Sequence, residues 1–168
     1  SSEIDSASID GGLGYRPAHR GLRVPRLTEV LDVLDEYEGL LLIDIKHAET
    51  GDADEVARLL DGRSATMLVR SAEDVEAIRR VDPEIQALAF SGVAPGAIDG
   101  YLMNADIEAT IGRVGEAELP VWTYVHEGRF DTDETDLMRR AWAAGVYAYL
   151  SKHPERAAVF VAALTGSD

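Results

Sequence analysis

Six short apolar runs alternate with amphipathic segments along this chain, and this alternation is the feature that most constrains its fold. Each run is nearly continuously apolar, as is typical of a parallel strand covered by helices on both faces. The predicted strands span residues 40–45, 66–69, 85–90, 98–103, 120–125 and 146–150. The pattern predicts an α/β fold, either an open doubly wound sheet or part of a (β/α)8 barrel. A whole barrel usually needs roughly 200 residues or more, and this chain has 168.

Helical segments lie between most of these strands. Ser71, followed by Asp74 three positions later, forms a capping-box pattern that predicts a helix start. The predicted helices span residues 27–34, 71–81, 133–144 and 154–164. The connection between residues 90 and 98 is too short for a crossover helix, which takes about a dozen residues or more. Either this connection is irregular or one of the two strands that it joins is misassigned.

The composition excludes several classes of protein. The chain has no cysteine, so it has neither disulfides nor thiolate metal sites. It contains no apolar run near the roughly 20 residues of a transmembrane helix. A net charge of −15 argues against binding to nucleic acids or to anionic membrane surfaces. Acidic residues are abundant and Lys46 and Lys152 are the only lysines, which leads to the hypothesis of a cytoplasmic protein from a halophilic archaeon.

Several stretches of the sequence occur in the same order as the motifs of a known family. They are "RVPRLTEVLDVLDEYEGLLLIDIKH", "LVRSAEDVEAIRRVDPEIQALAF", "LPVWTYV" and "AGVYAYLSKHPE". In order and spacing they resemble the glycerophosphodiester phosphodiesterases from about residue 22 to residue 160. The resemblance implies an incomplete TIM-type (β/α) barrel of about six parallel strands with flanking helices. On this reading residues 1–21 are a polar lead-in, and residues 22–168 form the partial barrel domain.

The family hydrolyses glycerophosphodiesters to glycerol 3-phosphate and an alcohol, with two histidines and a divalent cation held by carboxylates. The tetrapeptide from Ala18 to Gly21, which contains His19, is similar to the family's first catalytic strand. The Pro-Glu-Asn motif, the Glu-x-Asp strand and the His-Asp hairpin of the family do not follow it, because Gly21 runs directly into the later helix. We therefore interpret His19 as a loop residue. The chain lacks the expected catalytic histidine pair, so we expect reduced activity or none from this chain alone.

The resemblance assigns roles to four residues. Lys46 matches a catalytic lysine that neutralises the phosphodiester, and Asp44 stands where the family has a glutamate that binds Mg²⁺ or Ca²⁺. Strand alternation points both side chains the same way, and an interior ion pair between them is the structural alternative. Trp122 matches a tryptophan of the substrate pocket, although a strand tryptophan is also typical of a core. Lys152 lies after the last strand, where barrels often bind phosphate, and a solvated lysine is the alternative.

Two further functions are compatible with the sequence. The first is a non-catalytic barrel module that binds phosphate or assembles through its open sheet edges, for example as a homodimer. The second is a barrel lyase that uses Lys46 as a Schiff-base amine. Asp44 next to this lysine argues against a lyase, because a carboxylate favours the charged ammonium form. The expected partner of the phosphodiesterase-like protein is a small phosphodiester or another anion.

Overall fold

The structure of the chain is a computed structural model. It describes residues 8–9, 22–36, 39–45, 52–60, 62–90, 93–104, 106–124, 134–151 and 153–166. Within these residues, two strands of two residues each, β1 (Ser8–Ile9) and β2 (Leu22–Arg23), pair antiparallel. None of the described helices is both long enough and apolar enough to cross a membrane.

Six parallel strands form a single sheet in simple sequence order. They are β3 (Leu41–Asp44), β4 (Ala65–Val69), β5 (Gln86–Ala89), β6 (Gly100–Asn104), β7 (Val121–Tyr124) and β8 (Ala148–Leu150). Each strand pairs only with its sequence neighbours, and β3 and β8 are the two edges of this described sheet. The sheet curls into a half-barrel with flanking helices. The prediction of an incomplete TIM-type barrel is therefore confirmed, and an open doubly wound sheet is excluded.

Helices cover the outer face of the sheet. They are α1 (Leu27–Val33), α2 (Asp52–Leu60), α3 (Ala72–Val81), α4 (Ile107–Glu116), α5 (Glu134–Ala143) and α6 (Pro154–Thr165). The predicted capping box is present at α3, where Ser71 Oγ accepts a hydrogen bond from the Asp74 amide at 3.1 Å. In return, the Asp74 carboxylate accepts from the Ser71 amide at 3.1 Å. The four predicted helices are confirmed to within one or two residues at their ends.

The short connection between β5 and β6 contains a 3₁₀ turn at Pro95–Ala97 instead of a crossover helix. Asp99, directly before β6, links the two strands by hydrogen bonds to Ala87 of β5. Its amide donates to the Ala87 carbonyl at 2.8 Å, and its carboxylate accepts from the Ala87 amide at 2.8 Å. Both predicted strands are therefore correct, and the connection between them is irregular.

The two faces of the sheet bury separate apolar clusters. The outer cluster packs strand residues such as Met67 and Ala87 against helix residues such as Leu60 and Ile78. The inner cluster lies on the concave face of the sheet. Its buried members are Leu68, Leu88, Leu102 and Trp122, and its partly buried members are Leu42, Phe90, Tyr124, Ala148 and Leu150. Because neighbouring strands contribute residues at alternate positions, this cluster is the filled interior of the half-barrel.

Candidate functional site

The carboxyl ends of the six parallel strands meet at one end of the half-barrel, which is here called the mouth. Strand alternation places residues two positions after an inner-face residue on the same face. Leu42 and Leu68 belong to the inner cluster, so Asp44 and Arg70 lie on the inner side of the mouth. Tyr124 at the end of β7 is also an inner-cluster residue and is half-buried. The inner side of the described mouth therefore includes the Asp44 carboxylate, the Arg70 guanidinium group and the Tyr124 phenol.

Asp44 and Arg70 form an ion pair across the ends of β3 and β4. Arg70 Nη2 lies 3.9 Å from Asp44 Oδ1, and the side chains are 49% and 27% exposed, respectively. Arg70 Nε also donates to the Ile45 carbonyl at 3.4 Å. Two different groups thus hold the guanidinium on the inner side of the mouth. About half of the Arg70 side chain is exposed and can be reached by an anion.

The backbone of Arg70 is also held in place. Its amide donates to the Asp74 carboxylate at 3.2 Å, so the residue is attached to the capping box of α3. Sequence reasoning did not identify Arg70 as a site residue. The signal that could have found it is its position two residues after an apolar inner-face residue, at the end of a strand. An arginine at such a position faces the mouth and can bind phosphate with a bidentate pair of hydrogen bonds.

The described residues do not form a complete cation site. No group of three carboxylate or histidine side chains close enough to hold a metal ion occurs within the described ranges. Mg²⁺ and Ca²⁺ need six or more oxygen ligands, and Asp44 supplies a single carboxylate that lies beside a competing guanidinium group. Cation binding by Asp44 therefore stays a prediction, and it would require ligands from outside the described part of the chain.

Of the other three predicted site residues, the structure describes only Trp122. Lys46 and Lys152 lie outside the described residues, so their predicted roles and the pair between Lys46 and Asp44 stay untested. His19 likewise lies outside them. Trp122 is 7% exposed and packs in the inner cluster, with its ring centroid 5.9 Å from that of Tyr147. Its role in substrate binding stays a prediction, and Tyr124 lies two residues closer to the mouth on the same face.

A second polar group lies at the end of β8. Ser151 Oγ donates to the Glu134 carboxylate at 2.9 Å and accepts from the His153 amide at 2.9 Å. The nearby Tyr149 hydroxyl is buried, and its pKa is raised, first by loss of solvent and then by the charge of Glu134. A carboxylate bound to Ser151 repels anions, so the Ser151 hydroxyl is a poor phosphate ligand. Anion binding near β8 would have to rely on Lys152.

Solved structures with the same architecture are known. The chain is similar to a protein named as a glycerophosphodiester phosphodiesterase from Galdieria sulphuraria, with a TM-score of 0.63, 15% identity and coverage of 95% of this chain and 69% of that chain. A glycerophosphoryl diester phosphodiesterase from Parabacteroides distasonis gives a TM-score of 0.62 and 14% identity, with coverage of 84% and 56%. A protein with the same name from Silicibacter pomeroyi gives 0.62 and 19%, with coverage of 98% and 68%.

The chain spans between 56% and 69% of the length of these solved structures. No protein-family model and no curated protein matches its sequence. At 14–19% identity, the structural matches establish the fold and leave the activity open. Together with the six parallel strands in sequence order, they show that this chain has a glycerophosphodiester phosphodiesterase-like fold, as part of an α/β barrel.

Proposed function

We propose that this chain is a glycerophosphodiester phosphodiesterase-like protein that binds a phosphodiester at the mouth of its half-barrel. We further propose that its own hydrolytic activity is reduced or absent. The observation that supports binding most directly is the half-exposed side chain of Arg70, whose guanidinium group contacts Asp44 and the Ile45 carbonyl on the inner side of the mouth. A fixed guanidinium group binds a phosphodiester without losing much side-chain entropy.

Charge supports a specific site for the anion. A chain with a net charge of −15 repels phosphates over most of its surface, so an anion needs local cations. Arg70 is one such cation, and Lys46 follows the strand that carries Asp44. In the proposed complex Arg70 donates to one non-bridging oxygen of the phosphodiester. Lys46 binds the other non-bridging oxygen, which shares the same negative charge. Asp44 positions Arg70 and is not itself a ligand of the phosphodiester.

The remaining contacts are assigned by position on the inner face. Tyr124 is half-buried at the end of β7, where its ring can cover the glycerol or alcohol part of the substrate. Trp122 supports Tyr124 from within the inner cluster. Lys152, after β8, is proposed as a further cation for the phosphate. A divalent cation on Asp44 is not needed for this binding mode.

The proposal is tested by measuring binding and turnover separately. Isothermal titration calorimetry of the purified chain with glycerophosphocholine, and separately with glycerol 3-phosphate, measures binding. Release of glycerol 3-phosphate with millimolar Mg²⁺ or Ca²⁺ measures hydrolysis. We expect saturable binding and a release rate close to that of the buffer.

Two outcomes would contradict the proposal. Absence of binding to either compound would exclude a phosphodiester site. Rapid hydrolysis that is lost in His19→Ala would show that Ala18 to Gly21 is a catalytic strand and that the chain is an active hydrolase.

A non-catalytic assembly module is the second candidate, and it is favoured by the exposed apolar residues beside β8. It differs from the first proposal in requiring no phosphodiester. A lyase that uses Lys46 is the least supported function, because the carboxylate of Asp44, two residues earlier in the sequence, would favour the charged form of the amine. Borohydride trapping with sugar phosphates would detect its Schiff base, and we expect no adduct.

A further inference from the structure

Large exposed apolar side chains occur at both ends of the curled sheet. Five lie beside β3 and five beside β8, and the described residues between 60 and 141 contribute none. The first group is Val24, Val30, Val33, Leu40 and Leu59; the second is Trp142, Tyr147, Val159, Val161 and Leu164. Among the described residues, the middle of the half-barrel therefore exposes no large apolar side chain, whereas both ends expose several.

The end beside β8 forms a continuous apolar surface. Helix α6 has no buried residue, although its sequence is mostly apolar. Between α5, α6 and β8 lies an open, mainly apolar cleft of about 160 Å³. Four exposed side chains line this cleft: Trp142, Tyr147, Val161 and Leu164. They are here called the C-terminal face. Exposed patches of this kind mark contact surfaces between proteins.

The charge near the C-terminal face differs from that of the rest of the chain. Residues 134–166 carry three acidic and four basic side chains. The acidic ones are Glu134, Asp136 and Glu155, and the basic ones are Arg139, Arg140, Lys152 and Arg156. The net charge of −15 is thus carried entirely by other parts of the sequence. Two copies of the chain therefore meet less local repulsion at this face than at the acidic parts of the surface.

The end beside β3 is strongly acidic and is therefore less suited to contact between two copies of the chain. Residues 22–64 carry eleven acidic and five basic side chains. Two copies that met through this end would bring two negatively charged surfaces together. Charge therefore selects the β8 end for contact between copies, although both ends expose apolar residues.

We propose that two copies of this chain associate through their C-terminal faces, related by a twofold axis. A contact of this type uses the same surface on both copies. The apolar side chains of one copy cover the cleft of the other. Asp44 and Arg70 lie at the ends of the two strands farthest from β8 in the sheet, so the contact leaves this pair free.

The experiment is analytical ultracentrifugation of the full chain over a micromolar to submillimolar concentration series. Val161→Glu places a charge in the C-terminal face and keeps a good helix-forming residue at an exposed position. Val33→Glu is the matched control, because it introduces the same charge at an exposed valine of α1, at the other end of the sheet. We expect a concentration-dependent dimer for the wild type and for Val33→Glu, and at least a tenfold weaker dimer for Val161→Glu.

Several results would overturn the proposal. A folded wild-type chain that stays monomeric over the whole series would exclude it, whether or not the variants fold. A dimer that dissociates in Val33→Glu and persists in Val161→Glu would place the contact at the β3 end. Growth to larger, open-ended assemblies would show a head-to-tail contact instead of a twofold one.

Discussion

Arg70 Nη2 lies 3.9 Å from Asp44 Oδ1, and this contact joins the ends of two neighbouring strands at the mouth of the half-barrel. It gives the mouth a fixed cation in a chain whose net charge is strongly negative. The pair also explains how Asp44 can matter to the site without holding a metal ion.

Arg70→Gln should weaken phosphodiester binding. A hydrogen bond to a charged group contributes about 1.5–3 kcal/mol, which corresponds to roughly a tenfold or larger rise in Kd. Calorimetric titration with glycerophosphocholine measures the change. The matched control is Arg139→Gln on helix α5, where an exposed arginine pairs with Asp136 of the same helix and not with Asp44. Equal affinities for the two variants would exclude Arg70 from the site.

Asp44→Asn distinguishes a positioning carboxylate from a metal ligand. If Asp44 binds Mg²⁺ or Ca²⁺ together with residues outside the described ranges, either cation should raise the Tm of the wild type by mass action. The Asp44→Asn variant should lose that rise in Tm, and its Tm should respond to NaCl as that of the wild type does. Because Arg70 competes for the same carboxylate, we expect the rise to be small. An equal response of both proteins would exclude Asp44 as a cation ligand.

Gly100→Ala should destabilise the fold. A Cβ at this position would lie 2.8 Å from the Pro120 carbonyl oxygen and 2.9 Å from Leu88 Cδ2, so backbone would have to move. Such overpacking typically costs about 1–3 kcal/mol. Gly112→Ala in α4 is the control, because a Cβ there meets nothing within 4 Å. Alanine is the better helix former, so Gly112→Ala should stabilise by about 0.5–1 kcal/mol.

Urea denaturation measures both glycine variants. Similar effects of Gly100→Ala and Gly112→Ala would show that β6 does not approach Pro120 as closely as described.

Tyr149→Phe should make stability less sensitive to alkali. Burial and the charge of Glu134 raise the pKa of Tyr149, so the folded protein keeps its proton where the unfolded chain has lost it, above a pH of about 10. The contribution of Tyr149 is thus fully present below that pH and is lost as the pH rises above it. Urea denaturation at neutral pH and at a pH above 10 measures this difference.

The phenylalanine variant should also be at least as stable as the wild type at neutral pH. The Tyr149 hydroxyl is buried without a hydrogen-bond partner among the described residues, and its removal relieves that cost. Tyr147→Phe, at an exposed ring, is the control. A large loss of stability in Tyr149→Phe at neutral pH would show that the hydroxyl is hydrogen-bonded.

Salt should stabilise this chain, as we propose for a protein of a halophilic cytoplasm. At about 1 M salt the Debye length falls to roughly 3 Å, so the repulsion within a chain of net charge −15 is screened. Thermal unfolding across a KCl series should show a rising Tm. Equal stability at low and molar salt would contradict the hypothesis of a halophilic source.

The sequence alone predicted much of the fold, since local patterns carry the information. Apolar runs located all six strands of the sheet, and the pattern at Ser71 and Asp74 located the start of α3. Helices α2 and α4 were not singled out. In α4, Gly112 and Gly115 lower the helix propensity. Packing stabilises it instead, since Thr110 is fully buried and its hydroxyl lies 3.4 Å from that of Thr123.

The candidate site could be predicted only in part. Alternation along β3 was sufficient to place Asp44 at the mouth, because period-two geometry depends on the strand alone. Its contact with Arg70 depends on the pairing of β3 with β4, which brings residues distant in sequence together. The bond between Ser151 and Glu134 likewise appears only when α5 packs against β8.

Thus the residue pattern by itself determined the order and type of the secondary structure and the acidic character of the chain. Tertiary structure alone decided which side chains share the mouth and which ones form the C-terminal face. It also decided how Asp99 links β5 to β6, where the connection is too short for a crossover helix. The reason is physical. Backbone propensity and hydrophobic periodicity act over a few residues, whereas ion pairs and surface clefts depend on contacts between segments that only the folded sheet brings together.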